Sequence, residues 1–328
     1  MRTLIASSII LALCVGCSSD PEPITPDAPP PPVTTVPRDP AGSFVVSTTL
    51  DLEPPRAAAV VIDALDRAAS GPSQFILERM IATLPAGATK TVAHVALPFV
   101  AAYLDVRLAE FAPRFVPGIH RLSTGFARIA SHAELLEVWA IDARGDAIRT
   151  IAGVRFDVGP QPALAFADHG LPDASAATRV VLDATGQLAF SHHAIELRYG
   201  ALVRAGLDLA VVPTADASSH DVTQALAALV DCTRLAELVA DRIGIGSPLL
   251  YRGACVAAMS AVAAELDEHG VAIDAAPLVL DLTGAAVGID LDHDGTMDAI
   301  RGGRWNGAAT HTGVPQTIAA TFTGVSPP

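Results

Sequence analysis

Residues 135–158 read LLEVWAIDARGDAIRTIAGVRFDV, and this stretch decides the fold class. Val154, Phe156 and Val158 alternate with Arg155 and Asp157, the period of a strand with one buried face. Leu135–Ile141 precedes the turn residues Ala143-Arg144-Gly145-Asp146, and Ile148–Val158 follows them, so the spacing predicts a β-hairpin. The same period continues in Arg179–Leu182, the turn Asp183–Gly186, Leu188–His193, Ile195–Val203 and Leu207–Val212, and strands resume from about Val271. Phe44–Leu52 supplies an earlier strand.

Helical spacing takes over at Arg56–Ala69, 73–84 and 90–112, and again over Val222–Ile243 and Pro248–Glu268. Ser247 is placed to cap the last of these, with Pro248 at its first position and Gly270 as its stop. The segment Val92–Leu104 is apolar on nearly every face but is broken by Pro98 and is only about 13 residues long, which suits a core or groove helix better than a membrane span of about 20. The expected class is α+β: an antiparallel meander packed with N-terminal helices and a helical hairpin. Its single domain covers 41–328, with a sub-boundary near 214–220.

The chain has 328 residues, 51% apolar and 17% charged, with a formal net charge of −14. A core of ample size is affordable on these numbers. The basic stripe that nucleic acid requires is missing, so nucleic acid is not an expected partner.

At the N-terminus, Arg2 precedes an apolar run, Leu4–Gly16, that ends at Cys17. This is the layout of a secretion signal over residues 1–16. Cys14-Val15-Gly16-Cys17 resembles the lipobox of bacterial lipoproteins, with Cys14 standing where that family usually has Leu. The resemblance implies cleavage before Cys17, acylation of that residue and anchoring in a lipid bilayer. Ser18 and Ser19 follow, and the absence of Asp there implies the outer membrane of the cell envelope. Residues 17–40 then form a tether, because Pro-rich SSDPEPITPDAPPPPVTTVPRDP supports only extended backbone, reaching up to about 70 Å.

An exported chain meets an oxidising compartment, where paired cysteines bond. Cys232 lies about 11 residues before the end of one helix and Cys255 about 8 after the start of the next. At about 1.5 Å per residue they face one another across an antiparallel hairpin, so a disulfide is expected.

Asp290-Leu-Asp292-His-Asp294-Gly295-Thr296-Met-Asp298 brings carboxylates at alternate positions around a turn that Gly295 permits. The nonapeptide resembles the DxDxDG calcium loops of EF-hands, dockerins and integrin-type propellers. The expected ligands of Ca²⁺ are Asp290, Asp292, Asp294, Asp298 and the Thr296 carbonyl. Arg301 stands where an EF-hand has its bidentate Glu, and strands rather than helices flank the loop. Four close carboxylates should raise one another's pKa unless a cation offsets them.

Familiar catalytic motifs are absent, which favours a binding or structural module, refined by an apolar small-molecule or lipid groove between the sheet and Val92–Val106. The alternative is an envelope hydrolase, with His192, His193, Asp168 and His169 as its candidates. Alternation places His193 on the core face and His192 on the polar face, with Trp139 and Trp305 as packing residues.

Overall fold

A computed structural model describes residues 35–158 and 163–327. The expected signal peptide, the expected lipidation site Cys17 and the expected tether through residue 34 lie outside the described residues. The chain runs β1 (Gly42–Asp51), then five helices, α1 (Arg56–Ser70), α2 (Pro72–Thr83), α3 (Ala88–Asp105), α4 (Leu108–Phe111) and α5 (Phe115–Ser131). Next come β2 (His132–Ile141), β3 (Asp146–Arg155), the two-residue β4 (Leu164–Ala165), β5 (Ala174–Leu182) and β6 (Gln187–Leu197). A second helical insertion holds α6 (Tyr199–Gly206), α7 (Val212–Ala215), α8 (Val222–Ala228), α9 (Cys232–Ile243) and α10 (Pro248–Ile273). The chain ends with β7 (Leu278–Ile289), β8 (Ala299–His311) and β9 (Val314–Val325).

The expected hairpin is present, with Trp139 opposite Arg149 and Ile141 opposite Ala147. Every strand except β4 pairs antiparallel with its sequence neighbours, and β9 returns to pair with β1 from Val45↔Val325 to Thr49↔Thr321. The meander therefore closes as an eight-stranded up-and-down barrel, and β4 extends the edge of β3 at Gly153 and Val154. Both helical insertions leave and re-enter at one barrel end, after β1 and β6 and before β2 and β7. The opposite end carries the turns 142–145 and 183–186 and the acidic loop 290–298.

Eight strands enclose a lumen just wide enough for side chains to fill. Trp139, Trp305, Phe190 and Phe322 occupy it, with ring centroids 4.4–5.7 Å apart. Among these rings lies a fully buried ion pair. Arg149 Nε and Nη2 donate to Glu137 Oε2 and Oε1 at 2.5 and 2.8 Å, and Trp139 Nε1 donates to Glu137 Oε2 at 2.6 Å. The Arg149 guanidinium also lies over the Trp305 ring, 4.7 Å from its centroid.

Several boundaries differ from the sequence expectation. Residues 199–215 are helical rather than strand, as α6, a π-helical turn at Leu207–Val211 and α7. Short apolar runs do not distinguish the two periods, and here glycine decides: a Cβ on Gly200 would lie 2.5 Å from the Asp274 nitrogen and one on Gly206 2.4 Å from the Phe156 ring. These are close helix contacts that only glycine allows. Gly270 sits inside α10, which continues to Ile273, because the Arg204 stem packs over it. Helix 90–112 divides into α3 and α4, and 222–243 into α8 and α9. Helix α5 was not anticipated, since Pro117, Gly118 and Gly125 punctuate its apolar spacing.

Cys232 and Cys255 form the expected disulfide, with Cα atoms 5.6 Å apart, stapling the first residue of α9 to α10. Helix α3 packs on α2 and α9, so the sheet-side groove expected beside Val92–Val106 is not formed there. Helix α10 alone among the described helices is long and apolar enough to cross a membrane; it packs against α9, α2 and α8.

Arg149→Met should destabilise the fold by about 3–5 kcal/mol, since it strands a buried carboxylate. The pair Arg149→Met with Glu137→Gln should recover much of that loss in urea unfolding, because it leaves no buried charge.

Candidate functional site

Strands β7 and β8 present the acidic loop. His293 and Gly295 adopt positive φ of 71° and 91°, which folds the aspartates inward. Asp290 is buried, and ligand oxygens of Asp290, Asp292 and Asp294 all lie within 4.8 Å of one another. This cluster could hold a metal ion. Asp298 stands outside it, its Oδ2 accepting from the Leu291 and Asp292 nitrogens at 2.6 and 3.4 Å. The Thr296 hydroxyl donates to Asp294 Oδ1 at 2.6 Å.

The loop supplies its own electrostatic compensation. Asp290 accepts from the Thr35 hydroxyl at 2.7 Å and from the nitrogens of His293 and Gly295 at 2.7 and 3.1 Å, and the Thr35 contact chiefly holds its pKa below the ordinary carboxylate value. Thr296 does the same for Asp294 through hydroxyl and nitrogen. Mutual repulsion among the carboxylates, expected to raise these pKa values, is outweighed by N–H and O–H donors. Asp142 and Asp183 accept backbone N–H groups in the same way at the neighbouring hairpins.

The end of the Pro-rich tract docks on this loop. Thr35 exchanges backbone hydrogen bonds with Asp290, and Arg38 and Asp39 both donate to the Gly295 carbonyl. Pro37 is buried between them, near Gly186 and Gly288.

The hydrolase candidates are not brought together. His193 lies in the lumen, buried, with Nε2 3.2 Å from Arg149 Nη1 and Nδ1 3.0 Å from the Ser191 carbonyl. The Arg contact requires Nε2 to accept, so Nδ1 donates to Ser191. His192 faces outward and pairs with Asp281. Asp168 and His169 sit on an exposed 3₁₀ turn after β4.

Sequence reasoning missed a cleft of about 630 Å³ where that turn meets α6 and the π-helical turn, lined by His169, Arg198, Arg204, Asp208 and His220. Arg204 and Asp208 also line a second cleft, which Asp221 and Asp267 face. Pro213, which has no N–H to return to Leu209, follows the widened turn, a geometry frequent at functional sites. Burial, then the charge of Asp221, raises the Asp208 pKa to about 6. The only sequence signal was Asp208 standing in an apolar run.

Comparison of the chain with protein-family models, curated proteins and solved structures finds no match to any of them.

Burial pushes the His193 pKa below its ordinary 6.5, so acidification charges the unfolded chain first. Stability should be full above about pH 6.5 and fall as pH drops through the lowered value. Asp208 acts with opposite sign: its contribution is present below 3.8 and is lost as pH rises through about 6. Thermal melts from pH 4 to 8 should show the acid-side loss reduced in His193→Gln, and an unchanged slope there would contradict the assignment.

Proposed function

We propose that this chain is a cell-envelope lipoprotein, anchored in the outer membrane through acylated Cys17, whose barrel domain is a binding or structural module fixed to its tether by a calcium-bound loop. One observation carries the reading: the segment leading back to the lipobox, Thr35–Asp39, runs onto the loop where three carboxylates converge. Hard oxygen donors at alternate positions suit Ca²⁺. Asp290, Asp292 and Asp294 would be its core ligands, with Asp298 and the Thr296 carbonyl as the further oxygen donors the loop offers. A cation there ties β7, β8 and the docked tether segment together. Its role is structural.

The apolar-ligand reading falls on the groove between α2 and α3, about 480 Å³, lined by Ile81, Val95 and Leu97 with Lys90 at its edge. Val95 and the nearby Phe99 remain 74% and 72% exposed, far more than core packing leaves uncovered. A small apolar molecule or lipid is the occupant this surface suits.

With no twelfth-position Glu, calcium binding should be weak, about 10⁻⁴–10⁻³ M. Calcium in that range should raise Tm by linkage, and Asp292→Ala, an exposed change, should abolish the response. A Tm indifferent to calcium at several times those concentrations would reduce the loop to an acidic turn. Cys17→Ser should move the protein from the membrane to the soluble envelope fraction, and continued detergent partitioning of the variant would overturn the anchor.

A further inference from the structure

The cleft beside the π-helical turn is built from three separate parts of the chain. Arg198 follows β6, Arg204 lies on α6, and His169 and His220 face them from the turn after β4 and the loop before α8. Asp274, only 9% exposed, accepts from Arg198 at 2.6 Å and lies 3.9 Å from Arg204. This largely covered carboxylate thus orients Arg198 through a direct hydrogen bond and stands near Arg204 without bonding it. The contacts of Arg204, 3.9 Å to Asp274 and 3.7 Å to the exposed Asp267, are longer than hydrogen bonds, so its donors remain for another acceptor. Leu171, Ala205, Leu209 and Pro213 form the apolar part of the wall.

We propose that this cleft binds a small organic acid, its anionic head on Arg204 and Arg198 and its apolar body against Leu171, Leu209 and Pro213. A volume of about 630 Å³ falls within the ordinary range for small-molecule sites. Guanidinium groups with free, planar donors suit carboxylate or sulfonate oxygens. The chain as a whole carries a net charge of −14 and repels anions, and Asp274, Asp267 and Asp208 leave Arg198 and Arg204 no net positive surplus, so capture depends on the directed N–H donors of Arg204 that no carboxylate takes up. Asp208, on the same wall, opposes the ligand's charge and limits affinity. The site does not depend on the lipid anchor or the calcium loop.

Titration calorimetry of the purified chain with benzenesulfonate, whose charge does not vary near neutrality, tests this at one pH. The expected result is saturable binding at one site, weakened at least tenfold in Arg204→Gln and tightened several-fold in Asp208→Asn. Opposite responses of two neighbouring variants are not produced by general destabilisation. If Arg204→Gln fails to fold, Arg198→Gln replaces it, with the same direction expected. Absence of saturable binding, or equal affinity in the parent chain and both variants, would overturn the site, and sulfate binding as tightly as benzenesulfonate would overturn the role of the apolar wall.

Discussion

A charged pair sealed inside an aromatic lumen is the interaction on which the barrel depends. Glu137 and Arg149 are diagonal neighbours on β2 and β3, since Trp139 is opposite Arg149 and Ile151 opposite Glu137. Their desolvation costs several kcal/mol per ion and is offset only when nearly every donor and acceptor is placed. Here Trp139, His193 on β6 and the face of Trp305 on β8 complete the set. Four strands must hold one mutual register for that to happen, because a one-residue slip would turn each of these side chains to the outer face.

With the lumen filled, the candidate sites lie at the two ends and in the helical cap. One end carries the acidic loop and the docked segment Thr35–Asp39, where aspartates convert turn geometry into acceptors for backbone N–H groups. The other is closed by the insertions, and their junction with the barrel, at α6 and the turn after β4, opens the Asp208 cleft. The disulfide ties α9 to α10, the helix against which α2, α6, α8 and α9 pack, so the cap is stapled through its longest element.

Much of this was legible locally and little of it globally. Residues 135–158 declared a hairpin because alternation and a Gly145 turn agree, and Cys232 and Cys255 declared their bond through helical spacing. Closure of the meander was not legible, since nothing within β1 or β9 announces a partner hundreds of residues away. Glu137 and Arg149 were in frame with Leu135, Trp139 and Ile151 on the core face, a signal present in the alternation but masked by their charge. The helices at 199–215 read as strand because the packing that demands glycine at 200 and 206 is tertiary. Of the candidate sites, the aspartates of the acidic loop were visible as a run, whereas the Asp208 cleft gathers residues from the turn after β4, from Arg198 through α6 and the π-helical turn to α7, and from the loop before α8, and such convergence has no linear signature.

Hydrogen exchange at the closing seam tests this account most directly. If the lumen network locks a closed barrel, the hydrogen-bonded amides within Val45–Thr49 and Thr321–Val325 should exchange only through global unfolding, with the same free energy as the core amides of β7 and β8. Exchange of the β1–β9 amides by local opening, at protection well below that of β7 and β8, would show an open sheet and contradict it.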